Sequence, residues 1–198
     1  MKNLWMAAGL IFGAVAFISC DSGSQEQTTT TATDTEQTVE TETTSADTTA
    51  FSEDIREFMG YAFTNSALQM ELGKLAVEKG GATQVREYGQ KMVDLYGERQ
   101  KELKEIAGQD SAMLTANMTE DQMGKVQELR DKDSKEFDKA YWDTVVEAHK
   151  EALGEFDDKV KDFKETDNAP FNLWARNSAK EVRAHMEEAM ERRQDQKN

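Results

Sequence analysis

The chain has 198 residues, with 24 lysines and arginines against 39 aspartates and glutamates, a formal charge of −15. So acidic a protein repels the phosphate backbone, which excludes nucleic acid as a partner. A single cysteine rules out an intramolecular disulfide, and a single proline leaves room for long uninterrupted helices.

The N-terminus reads MKNLWMAAGLIFGAVAFISC. Lys2 supplies a small positive charge, and Leu4 to Ile18 form an uncharged apolar run of 15 residues, too short for a comfortable membrane span. This is the layout of a secretory signal segment over residues 1–19. It ends on Phe17-Ile18-Ser19-Cys20, which resembles the lipobox of bacterial lipoproteins, with Phe17 where leucine is usual. That resemblance implies cleavage before Cys20 and lipid attachment to its thiol, hence a membrane partner reached through acyl chains. Each buried CH₂ would contribute about 0.8 kcal/mol. A plain signal segment with an incidental cysteine, or an uncleaved anchor, is the alternative.

Residues 20–50 follow as an acidic, threonine-rich stretch. From Asp21 to Ala50 there are twelve threonines, seven acids and no lysine or arginine, and Val39 is the only large aliphatic residue. Such a segment buries too little apolar area to offset its ordering entropy, so it is predicted to be a disordered tether. Asp47-Thr48-Thr49 resembles a short O-glycosylation acceptor pattern. Asp21 resembles an inner-membrane retention signal of enteric bacteria.

Residues 51–198 carry 23 basic and 32 acidic residues and are long enough for one helical domain. Ser52 with Glu53 and Asp54 marks a helix start. An inward stripe follows at Ile55, Met59, Ala62, Ser66, Gln69, Gly73 and Ala76. Gly80-Gly81 is expected to end that helix through a left-handed residue. A second helix is predicted over Thr83 to Ala107, with Val85, Tyr88, Met92, Tyr96, Leu103 and Ile106 on one face. Thr119 and Gln122 form a capping box for a short third helix reaching about Asp131.

Ser134 is expected to cap the next long helix, whose inward stripe runs Phe137, Tyr141, Val145, Ala148, His149, Ala152, Phe156, Val160 and Phe163. Pro170 starts the last helix, which turns Trp174, Ser178, Glu181 or Val182, His185 and Ala189 inward. Four helices of about 25 to 29 residues result, each about 40 Å long at 1.5 Å per residue. Two tight hairpins joined by one long crossover make an all-α, ferritin-like four-helix bundle with a short extra helix in the crossover.

The segments MELGKLAVEKG, VREYGQKMVDLYGERQKELKEIA, FDKAYWDTVVEAHKEAL and EVRAHMEEA resemble domain-of-unknown-function family 4142 over most of residues 55–190. Phe137-Asp138, Tyr141 and His149 on one helix and His185 on the last carry the resemblance best. It implies a ferritin-like fold in a bacterial cell-envelope protein, at the outer membrane, without an established activity. The chain departs from the family pattern at Gln69, where a glutamate is typical, and at Leu95 and Tyr96, where an Asp-His pair is typical.

The candidate chemistry is thin. A di-metal carboxylate centre needs glutamates from two helices and Glu-x-x-His units from the other two. Here Val146 and Val182 precede the histidines at that spacing. A mononuclear metal site from His149, His185 and Glu181, with Asp138 as a further ligand, is one reading. Copper on Met113, Met118 and Met123 is another. The bland alternatives are methionines filling gaps and a hydrogen-bonded polar core of Gln69, Tyr96, Tyr141, His149 and His185. No serine sits in a nucleophile context, and no cofactor is required. The expectation is a non-catalytic, lipid-anchored binding or structural module whose protein partner is unknown; the alternative is a metal-binding or redox-protective envelope protein using the inward histidines.

Overall fold

The computed structural model describes residues 51–195 apart from residue 165. The expected signal segment 1–19, Cys20 and the tether lie outside the described residues. Within them the chain forms α1 (Glu53–Lys79), α2 (Thr83–Ala107), a 3₁₀ turn (Gly108–Met113), α3 (Glu120–Arg130), α4 (Phe137–Val160) and α5 (Pro170–Asp195), with no strand. The four long helices have 27, 25, 24 and 26 residues. No helix among the described residues is long and apolar enough to cross a membrane.

Cross-helix contacts fix the directions. The link between α1 and α2 is three residues, so these helices run antiparallel, and α4 and α5 are tied by Arg183 to Asp157 at 2.7 Å. Asp138 at the start of α4 meets Gly81 and Ala82, and His149 eleven residues on meets Tyr96, so α4 runs parallel to α2. At its far end Lys159 reaches the Asp54 carbonyl at 3.1 Å, which sets α4 antiparallel to α1. A parallel second and third long helix needs a connection that travels the length of the bundle, and the 3₁₀ turn with α3 provides it. This is the ferritin-like connectivity of an all-α bundle.

Local chemistry explains most of the ends. Ser52 Oγ accepts from Ile55 N, and the Thr119–Gln122 capping box is complete in both directions. Gly80, by contrast, is not left-handed: its φ is −58° and ψ 124°. Glycine is needed there for room, because a Cβ would stand 2.5 Å from the Ala76 carbonyl oxygen and 2.8 Å from Val85 Cγ1. Ser134 does not cap α4 either. Asp133 Oδ1 accepts from Lys135 N and Glu136 N, and the turn it nucleates runs into the helix.

α1 and α2 approach closely where Gly73 faces Gly89. A Cβ on Gly73 would lie 2.6 Å from the Gly89 oxygen, and one on Gly89 would lie 2.6 Å from Ala76 Cβ. The core divides into two apolar clusters. One gathers Leu72, Tyr88, Phe137, Tyr141 and Trp142; the other gathers Phe58, Leu103, Phe156, Phe171 and Trp174. Each large side chain fully buried there contributes about 1.5–3 kcal/mol. Trp142, wholly buried at the centre of the first cluster, was absent from the sequence-predicted stripe; its ring packs on Tyr88 with centroids 5.0 Å apart.

Candidate functional site

Between the two apolar clusters lies a belt of buried polar residues. α1 contributes Asn65, Ser66 and Gln69, α4 contributes His149, and α5 contributes Ser178 and His185, all at most 9 % exposed. Tyr96 and the half-buried Arg99 reach in from α2. Each residue arrives there because its position lies on the same helical stripe as the apolar residues above and below it.

His149 is the centre of this belt and is entirely buried. Its Nδ1 is 2.8 Å from the Val145 carbonyl oxygen, and its Nε2 is 3.1 Å from the Tyr96 hydroxyl. A carbonyl can only accept, so Nδ1 carries the proton and Nε2 presents a lone pair that the tyrosine hydroxyl donates to. Burial holds the imidazole down to about 4, outweighing the Val145 bond, and nearby His185 lowers it further. Burial also pushes the Tyr96 phenol up, which keeps it protonated as the donor. His149 is thus a neutral ring with both nitrogens engaged.

His185 stands beside it, with ring centroids 6.2 Å apart. Burial holds it down to about 4 as well, aided by the charges of Lys91 and Arg99 and opposed by Glu188. Its backbone oxygen accepts from the Tyr88 hydroxyl at 3.1 Å, while its Nδ1 has no partner among the described residues. Gln69, Tyr141 and Trp142 also bury side-chain polar atoms without a partner there. Of the five residues read from the sequence as a polar core, only Tyr96 and His149 are hydrogen-bonded to each other.

The side chains considered as metal ligands are committed elsewhere. Glu181 pairs with Arg99, which also holds Glu102 at 2.7 Å, so a cation approaching Glu181 would meet a guanidinium. Asp138 accepts from Gly81 N and Ala82 N, both at 2.8 Å, and supplies the cap that Ala82 lacks at the start of α2. It lies about 16 Å from His149 along α4 at 1.5 Å per residue. Among the described residues no three His, Cys, Asp or Glu side chains gather as a metal-binding group. The methionines do not converge: Met113 and Met123 are 45 % and 49 % exposed, while Met118 packs on the Trp142 cluster.

A narrow crevice opens onto the belt between α2 and α5. It has about 20 Å³ of room and is walled by Ser66, Tyr96, Arg99, Ser178, Glu181 and His185 among others. The sequence marked most of these positions as inward. It gave no sign of Arg99, whose place depends on a glutamate 82 positions later.

Compared with known proteins, the chain matches the family model described as a domain of unknown function, DUF4142, over residues 23–191. No curated protein and no solved structure matches it.

Proposed function

The chain belongs to the DUF4142 family, and from that premise we propose that it is a non-catalytic binding or structural module of the bacterial cell envelope. The observation that supports this reading best is the closed state of His149. A general base or metal ligand needs a lone pair that a substrate or ion can reach, and the Nε2 lone pair is taken by Tyr96. The carboxylates read from the sequence as possible ligands are likewise engaged, Glu181 with Arg99 and Asp138 at the start of α2.

The proposed location rests on the N-terminal residues. An apolar run ending in Ser19-Cys20 supports a lipid anchor at Cys20, and the acidic stretch after it supports a tether that holds the helical domain off the membrane, at the outer membrane by family resemblance. Membrane fractionation with and without Cys20→Ala tests this. The variant should lose lipid labelling and either stay unprocessed or leave the membrane fraction, and a processed variant with unchanged fractionation would overturn the anchor.

A second reading, metal binding or redox protection through the histidines, is favoured by one observation: His185, whose Nδ1 has no partner among the described residues, lines the same crevice as Glu181. Elemental analysis of natively purified protein separates the two readings. Stoichiometric metal that disappears in a His149→Ala, His185→Ala double variant would displace the leading one. A thermal midpoint indifferent to chelator would support it.

A further inference from the structure

Ser178 lies on the buried face of α5. It is 3 % exposed, yet its Oγ has no hydrogen-bond partner among the described residues. A buried helical serine commonly bonds the carbonyl four residues back. Ser66, across the crevice, does so, donating to the Ala62 oxygen at 2.8 Å. Ser178 makes no such bond among the described residues, and a buried polar group in that state is strongly disfavoured.

The crevice that Ser178 lines limits what could satisfy it. Its room, about 20 Å³, exceeds the roughly 10–15 Å³ that one water needs and is far below the roughly 300 Å³ of an organic-ligand pocket. Arg99 in the wall opposes a cation, and the Glu181 carboxylate opposes an anion. What remains is a neutral molecule of water size that both donates and accepts.

We propose that the crevice between α2 and α5 is a binding site for one structural water, held by Ser178 Oγ and Glu181 Oε2. The two anchors lie one helical turn apart on α5, within the span of a single bridging oxygen. The water accepts from the Ser178 hydroxyl and donates to Glu181 Oε2, which keeps a lone pair free after its contact with Arg99. Ser66 Oγ, its own hydrogen spent on Ala62, offers a further acceptor from the opposite wall. His185 is two turns from Ser178, about 10 Å along the axis, and is not one of the two anchors. The site is independent of whether the protein is a structural module or a metal binder.

Magnetic relaxation dispersion of solvent deuterons counts long-lived internal waters in the full chain. Ser178→Val, which removes the hydroxyl and places an extra methyl in the crevice, should hold one fewer than the wild type. An equal count in the two proteins would overturn the proposal. Should that variant fail to fold, a wild-type crystal structure decides. Density for a water within hydrogen-bond distance of both Ser178 Oγ and Glu181 Oε2 supports the site, and a crevice without it, where other internal waters are resolved, overturns it.

Discussion

Tyr96 donates its hydroxyl hydrogen to His149 Nε2 across 3.1 Å, from α2 to the parallel α4. The direction of that bond follows from the other side of the ring, where the Val145 oxygen at 2.8 Å can only accept. One tyrosine therefore determines whether the imidazole at the centre of the bundle is satisfied.

Tyr96→Phe tests that dependence. It keeps the ring's packing but leaves a buried acceptor unpaired, a loss of about 1–3 kcal/mol. Urea denaturation should show a lower midpoint with an unchanged slope, and helical content by circular dichroism should be preserved. Equal stability of variant and wild type would mean the bond is not formed in solution.

Both histidines titrate lower in the folded protein than in the unfolded chain, about 4 against an ordinary 6.5. As pH falls below 6.5, the unfolded chain takes up protons that the native state refuses, so stability falls. Their contribution is complete above 6.5 and is lost progressively down to about 4. The urea midpoint should therefore be lower at pH 5.5 than at pH 7.5, a window above the ordinary carboxylate range. His149→Gln should flatten part of that difference, and a wild-type midpoint independent of pH there would contradict the neutral assignment.

Two glycines should respond to alanine with opposite signs. Gly89→Ala places a methyl 2.6 Å from Ala76 Cβ and 2.7 Å from the Gly73 oxygen, forcing α1 and α2 apart. Overpacking of this kind costs about 1–3 kcal/mol. Gly154, exposed in the middle of α4, has nothing within 4 Å of its added Cβ. Gly154→Ala should gain about 0.5–1 kcal/mol of helix propensity. Thermal unfolding of the two variants measures both effects.

Asp138→Ala removes the acceptor of two backbone N–H groups at the start of α2, a loss of about 1–2 kcal/mol. At about 2–4 °C per kcal/mol for a domain of this size, the thermal midpoint should fall by several degrees. Asp138→Asn keeps one acceptor oxygen and should fall less. Equal loss in both would assign the effect to charge rather than to hydrogen bonding.

The helices were legible because their signals are local. The predicted second helix, Thr83 to Ala107, coincides with α2, and both the Thr119 cap and the Pro170 start are as read. The misses are of two physical kinds. Trp142 escaped because a stripe at i, i+4 spacing assumes one buried face, while α4 packs both Tyr141 and Trp142 into the Tyr88 cluster. Ser134 and Gly80 were misread because a residue type suited to a cap does not specify the backbone angle it adopts. In the polar belt, the inward positions followed from periodicity, but the pairings did not. Tyr96 with His149, Arg99 with Glu181 and Asp138 with Gly81 join residues 53 to 82 positions apart, and no spacing rule spans such distances.

The two ends of α4 are both fastened, Asp138 to the start of α2 and Lys159 to the start of α1. The helix is thus a strut of fixed length. One inserted residue in its middle would advance everything beyond by 1.5 Å and rotate it by about 100°, so one fastening must let go and half of the inward stripe must face solvent. The segment between Met113 and Thr119 makes no hydrogen bond to another helix among the contacts described, and of its residues Leu114 and Met118 are held by packing. Evolution or engineering can therefore lengthen this protein there, at the crossover, while α4 admits exchange of residues but not a change in their number.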